Sequence, residues 1–128
     1  METLILSGKP VPKARPRVVN GHAYTPRETQ EYEELVRLCY RRGSGDKRLG
    51  PVSVSIVFAY EMPKSWPKKK KAEMDGQPKT TKPDLDNLVK TVLDGLNGEA
   101  WEDDAQVVTV ASRKVWTSEE SKTTVEIW

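Results

Sequence analysis

Val52-Ser53-Val54-Ser55-Ile56-Val57-Phe58-Ala59-Tyr60 places large apolar side chains at 52, 54, 56, 58 and 60, with Ser53, Ser55, Val57 and Ala59 between them. Successive side chains of a strand point to opposite faces, so this period of two marks a strand with one face on a core. It is the clearest strand in the chain.

Upstream, Thr3 to Ser7 reads as a short strand ending at Gly8-Lys9-Pro10. Pro10, Pro12 and Pro16 then keep a basic arm extended, since proline neither donates to a helix nor lets the preceding residue turn helical. Asn20-Gly21 is a tight-turn signal, predicting a small hairpin of Arg17 to Val19 with His22 to Tyr24. Thr25-Pro26-Arg27-Glu28 reads as a helix start, with Thr25 as cap and Pro26 at the first position. That helix is expected to run to about Arg42 and stop at Gly43, burying a face made of Tyr32, Leu35, Val36 and Cys39.

Downstream, Ser65-Trp66-Pro67 precedes a short basic helix through Lys68, Lys69, Lys70 and Lys71 that ends near Gly76. A loop from Gln77 to Pro83 leads to Asp84-Leu85-Asp86-Asn87-Leu88-Val89-Lys90. Leu85, Leu88, Val89, Val92, Leu93 and Leu96 keep to one helical face, and Asn97-Gly98 ends the helix. Gln106 to Trp116 reads as a strand and Thr123 to Trp128 as its antiparallel partner, joined by Ser118 to Ser121. This order predicts an α+β fold: a single domain over residues 1–128, with a mainly antiparallel sheet and helices packed on one face.

Composition narrows the chemistry. The chain has 128 residues, 36% hydrophobic and 31% charged, and no run approaches the ~20 apolar residues of a membrane helix. The sequence shows no signal-peptide pattern and has a single cysteine, Cys39, so a cytoplasmic protein without a disulfide framework and without a membrane partner is expected. Cys39 lies among Leu35, Val36, Leu38 and Tyr40 and reads as a buried structural thiol. With one histidine, His22, and one cysteine, the usual zinc ligand sets are excluded. Hard carboxylate oxygens remain, which suit Mg²⁺ or Mn²⁺.

The net charge of +2 conceals a segregated pattern. Lys9, Lys13, Arg15 and Arg17 form a basic arm, and Lys64, Lys68 to Lys71, Lys79 and Lys82 a basic block, whereas Asp84, Asp86, Asp94, Glu99, Glu102, Asp103 and Asp104 oppose Lys90 alone. Acids surrounded by a basic surface resemble a nucleic-acid groove with a cation in its floor.

Residues two apart in a helix diverge by roughly 160°. Asp84 and Asp86 therefore converge only if Asp84 is the N-cap, with non-helical backbone, and Asp86 lies in the first turn. Lys90 and Asp94 follow Asp86 at intervals of four and line a polar stripe. Asp103-Asp104 precedes a strand, from which one carboxylate of the pair could reach the same place. The bland alternatives are ordinary capping, a surface salt-bridge ladder and a turn. Of other classes, a DNA-binding module with structural carboxylates competes more strongly than a phosphatase or glycosyltransferase. The phosphatase would want Asp-x-Asp at the end of an apolar strand, and the glycosyltransferase a longer chain.

Asp84 to Lys90, then Asp94-Gly95-Leu96, then Trp101-Glu102-Asp103-Asp104-Ala105-Gln106-Val107 resemble the RusA family of Holliday junction resolvases. Gly8 to Arg17 and Tyr24-Thr25-Pro26 are similar too, in the family's order. The resemblance implies a homodimeric, Mg²⁺-dependent endodeoxyribonuclease, with Mn²⁺ a possible substitute, that resolves four-way DNA junctions by symmetric paired nicks in recombination and repair. It also implies a bacterial or phage-infected host cell. The family's acidic residues match Asp84, Asp86 and Asp104, and its essential lysine matches Lys90. Asp103 is the alternative third ligand, because the Asn97 to Ala100 link is slightly shorter than the usual form. Lys13, Arg15, Arg17, Lys68, Lys69, Lys70 and Lys71 are the residues expected to grip DNA phosphates.

Overall fold

The computed structural model describes residues 1–14, 17–24 and 26–128, with the backbone alone at residues 17, 19 and 22–24. The elements are β1 (Glu2–Ser7), β2 (Arg17–Val19), β3 (His22–Tyr24), α1 (Arg27–Arg42), β4 (Val52–Glu61), α2 (Lys68–Met74), α3 (Leu85–Leu96), β5 (Val107–Thr117) and β6 (Lys122–Ile127), with a single 3-10 turn at Asp104–Gln106. The architecture is α+β, in one small domain: a four-stranded sheet of order β1-β6-β4-β5 and the separate hairpin β2-β3.

The alternation in β4 does what its period demands. Val52, Val54, Ile56, Phe58 and Tyr60 are buried, beside Leu4 and Leu6 of β1 and Val125 and Ile127 of β6. Over this face lie Tyr32, Val36 and Tyr40 of α1 and Leu88, Val92 and Leu96 of α3, all in one continuous core. Burying each of those α3 side chains contributes roughly 1.5–3 kcal/mol, which is what fixes the helix to the sheet. The polar seam is also closed: Tyr32 Oη and Thr123 Oγ1 share a buried 2.6 Å hydrogen bond. α2 is different, burying none of its residues. It is attached at the sheet's end through Trp66, which meets Trp116 edge-to-face at 5.0 Å.

The β2-β3 turn follows the sequence, with Asn20 (φ 51) and Gly21 (φ 79) both in the left-handed region that a two-residue hairpin turn requires.

Three expectations are corrected. β6 is not the partner of β5: it pairs antiparallel with β1 and β4, while β5 pairs parallel with β4. The link Ser118 to Ser121 therefore steps across the end of β4. Two strand spacings, about 10 Å, are within reach of such a short segment. Ser121 Oγ accepts the Glu61 N–H at 2.8 Å, and Thr117 O accepts the Met62 N–H at 3.1 Å, holding that crossing in place. Second, the buried face of α1 is Thr29, Tyr32, Val36 and Tyr40; Leu35 is 42% exposed and Cys39 only half-buried, with its Sγ 3.9 Å from Ile5 O. The face turned to the core is shifted toward Thr29 and Tyr40, and Leu35 and Cys39 lie on the flank beside Ile5 of β1. Third, the cap position of α1 belongs to Pro26, whose extended backbone (ψ 144) precedes Arg27, and Thr25 lies outside the described residues.

The parallel pairing of β4 and β5 matters for the site. Parallel neighbours need a long crossover, and here the crossover carries α2, the following loop and α3. The loop runs along the outer edge of β5, with Lys79 N donating to Lys114 O at 2.9 Å and Trp116 N to Gln77 O at 3.0 Å. It thus delivers the chain to Asp84 beside the second half of β5.

Candidate functional site

Asp84 is the N-cap residue of α3, with extended backbone (φ −70, ψ 138), and Asp86 lies in the first turn. The Asp84 side chain makes no capping hydrogen bond. Its Oδ1 instead accepts from Lys82 Nζ at 2.8 Å. That hydrogen bond and the Lys82 charge hold the Asp84 carboxyl below the usual aspartate range, with the Lys114 charge a smaller contributor. Asp86 is exposed and has no ion-pair partner among the described residues. Two carboxylates at a helix N-terminus are partly compensated by the positive end of the helix dipole.

Lys90 is exposed and only loosely paired, its Nζ 3.7 Å from Asp94. The alternative reading of Asp86, Lys90 and Asp94 as a salt-bridge ladder is therefore met only loosely, between Lys90 and Asp94, among the described residues. Asp94 belongs to another arrangement, in which Lys13 Nζ lies 3.0 Å from Asp94 and 2.6 Å from Glu33. Burial opposes the Lys13 charge, yet hydrogen bonds to Glu33 and Asp94 hold its pKa above the ordinary lysine value. The Lys13 backbone N–H also donates to Asn87 O at 2.8 Å. Pro10 O accepts from Tyr60 Oη at 3.0 Å, and the Thr29 hydroxyl lies 3.4 Å from both Pro12 O and Ala14 N. The basic arm up to Ala14 is thus strapped across α1, α3 and β4. Lys13, expected among the phosphate contacts, has its ammonium on these two carboxylates and acts as a fastening here. Arg15 lies outside the described residues, as does the Arg17 side chain.

Asp103 and Asp104 have separate roles. Asp103 caps the 3-10 turn by accepting from Ala105 N at 3.1 Å, with the Gln106 side chain closing the box on the Asp103 N–H at 3.2 Å. Asp104 Oδ1 accepts from the buried Trp101 indole at 2.8 Å. Trp101 in turn is bound to the C-terminal end of α3 through Gly98 N. Asp104 is thereby tied through Trp101 to the C-terminal side of α3, whereas Asp84 stands at its start. Among the described residues, no three Asp, Glu, His or Cys side chains are gathered as a cation cage.

Lys68, Lys69 and Lys70 are exposed, Lys71 is half-buried, and none of the four has an acidic partner among the described residues. Lys70 lies over the Trp66 ring at 4.1 Å. Two lysines that the sequence reading left in a solvated block or passed over are turned inward: Lys79, between the Tyr60 and Trp116 rings, and Lys114, on the carbonyls of Thr81 and Pro83. The missed signal for Lys114 is parity, since it alternates with Trp116 and pairs opposite the buried Phe58.

The glycine of Asp94-Gly95-Leu96 also has a cause. A Cβ at Gly95 would stand 2.9 Å from Val36 Cβ and 3.0 Å from Glu33 O, so α1 and α3 pack directly at this position.

A carboxylate-bearing helix start in the β4-β5 crossover, which also carries a helix whose four lysines have no acidic partner among the described residues, suits a protein that handles polyanions. The sequence profile described as Endodeoxyribonuclease RusA matches residues 7–128, and the chain belongs to that family of Holliday junction-resolving endonucleases. It is also 38% identical over 121 residues, 88% of this chain and 85% of the other, to "Uncharacterized protein YqaN" of Bacillus subtilis (strain 168).

Proposed function

We propose that the chain is a Mg²⁺-dependent endodeoxyribonuclease that resolves four-way DNA junctions by paired, symmetric nicks, in recombination and repair inside a bacterial or phage-infected cell. The observation that carries this reading is the Asp84 carboxylate, at the cap position yet unused for capping, two residues before Asp86, which has no ion-pair partner among the described residues. Their donor chemistry fits a hard divalent cation, Mg²⁺ or Mn²⁺. Asp84 and Asp86 would hold it, with Asp104 as third ligand once its carboxylate leaves the Trp101 indole; Asp103, whose carboxylate is the cap of the 3-10 turn, is the weaker alternative.

Held there, such a cation would supply the Lewis acidity that activates a water and polarises the scissile phosphate. Lys90, free of a close partner, neutralises charge that develops on that phosphate. Lys68, Lys69, Lys70 and Lys71 grip the DNA backbone without reading sequence, and Arg15 and Arg17 extend that grip from the arm. Paired nicks require two such sites, so the active species is a homodimer with two-fold symmetry, each copy a single RusA-like domain over residues 1–128.

The test compares a synthetic four-way junction with a linear duplex, in Mg²⁺ or EDTA, for the wild type and Asp86→Asn. The expected result is junction cleavage only with metal. Even partners of metal ligands cost about 10–100-fold when lost, so Asp86→Asn should lose at least about a hundredfold in rate while still binding the junction. Wild-type binding without cleavage would favour a DNA-binding module with structural carboxylates. Equal cutting of the duplex would leave a nuclease and remove the junction selectivity.

A further inference from the structure

Lys79 and Lys114 stand directly behind the helix start that carries Asp84. Lys79 is 9% exposed, with its ammonium 5.0 Å from the Tyr60 ring centroid and 4.9 Å from that of Trp116. Burial lowers its pKa, and the charges of Lys114 and Lys9 add to the effect. Neither Lys79 nor Lys114 has an acidic partner among the described residues. A buried charge without a counter-charge is costly unless its protons are satisfied. A methionine would fill the same space between the rings without that cost.

The contacts show where the protons go. Lys79 Nζ donates to Thr81 Oγ1 at 2.7 Å, to Thr81 O at 3.3 Å and to Lys82 O. Lys114 Nζ donates to Thr81 O and to Pro83 O, at 2.5 Å each. An ammonium has three protons, so Lys79 directs its whole donor capacity at this loop and has none left for a phosphate. The three carbonyls immediately before Asp84 are therefore all held by these two ammonium groups. Residues 80–83 make no backbone–backbone hydrogen bond of their own among the described residues.

We propose that Lys79 and Lys114 are positioning residues for the cation site: by holding the Thr81, Lys82 and Pro83 carbonyls they set Asp84 at the start of α3 with its carboxylate turned away from the helix cap. The inference rests on the reading of Asp84 as a cation ligand. It assigns the lysines a role in presenting that ligand and none in contacting DNA.

The test titrates Mn²⁺ into DNA-free wild type, Asp84→Asn, Lys79→Met, Lys114→Met and Lys114→Arg, reading free Mn²⁺ by spin resonance. Thermal midpoints, amide hydrogen exchange over residues 81–88 and junction binding in EDTA are measured on the same proteins. Outer partners of metal ligands are worth about 10–100-fold in affinity, so Lys114→Met should weaken Mn²⁺ binding about tenfold. It should also speed exchange at residues 81–88 and leave the thermal midpoint and EDTA junction binding near wild type. Lys114→Arg, which keeps the donors, should recover most of the affinity. If Lys79→Met fails to fold, Lys114→Met decides alone. Unchanged Mn²⁺ affinity in Lys114→Met, with Asp84→Asn weakened, overturns this inference and spares the functional reading. Loss of junction binding in EDTA overturns it in favour of a phosphate contact. Absence of Mn²⁺ binding by the wild type overturns both.

Discussion

On the flank of α3 that faces α1, Asp94 and Glu33 share the ammonium of Lys13 at 3.0 and 2.6 Å, whereas at the start of the same helix Asp84 meets only the exposed Lys82 and Asp86 meets no cation among the described residues. The first group is closed, with side chains between 13% and 24% exposed. The second is open to solvent. Charges that hold a fold together come with their partners, because an unpaired charge away from water is costly. Carboxylates left open to solvent at a helix start in a lysine-rich chain are available to something the chain does not itself contain. The two groups on one helix thus separate fastening from function more sharply than the sequence pattern did, where Asp86, Lys90 and Asp94 read as a single stripe.

Removing the fastening should produce the largest effect on stability. Lys13→Met leaves Asp94 and Glu33 facing each other and frees the arm from α1 and α3. Breaking a fully buried pair costs 3–5 kcal/mol, so with this residual exposure a loss of about 2–3 kcal/mol is expected by chemical denaturation. Junction cleavage by the remaining folded protein should keep its Mg²⁺ dependence. A stable variant with altered metal dependence would place Lys13 in the open group and dissolve the distinction.

Gly95→Ala tests the packing that sets the two groups on one helix. Crowding Val36 and the Glu33 carbonyl costs about 1–3 kcal/mol, and alanine's higher helix propensity returns up to about 1 kcal/mol. The expected net loss is about 1 kcal/mol, measured by the denaturation midpoint, with no change in Mn²⁺ affinity. Unchanged stability would mean that α1 and α3 shift apart easily and that the close approach constrains little.

Much of this was legible because it is local. The alternation of β4, the apolar face of α3, the cap position of Asp84 and the Asn20-Gly21 turn each depend on neighbours a few residues away. What failed is non-local. The Ser118 to Ser121 link is as compatible with a hairpin as with a step over β4, and only the competition of β5 and β6 for the central strand decides. Periodicity gives α1 an apolar stripe but does not fix which flank of it meets the core, so Leu35, expected in the core, lies exposed. Within the site, the Asp-x-Asp pair and Lys90 can be picked out, yet Lys13 reads as a phosphate contact and Lys79 as one more member of a basic block. Composition does not say which lysine of a run turns inward; the rings of Tyr60 and Trp116 do, and they lie far from Lys79 in sequence.

The smallest expected effect concerns Lys82, the one cation that touches the open group among the described residues. Lys82 is 84% exposed on its side chain, and its hydrogen bond is the main reason the Asp84 carboxyl titrates below the usual range. In Lys82→Met that pKa should rise toward the ordinary aspartate value, read by carboxyl carbon NMR through an acid titration. A carboxyl whose folded pKa is depressed adds stability above its unfolded pKa and loses it as pH falls through the folded value. The change is therefore confined to acid, and an exposed pair adds little even there. At neutral pH the thermal midpoint should not move. Because Lys82 occupies an oxygen that a metal ion would take, Mn²⁺ affinity should hold or rise in Lys82→Met. A fall in affinity would make Lys82 part of the site's support, and the start of α3 would then be a partnered group like the one around Lys13.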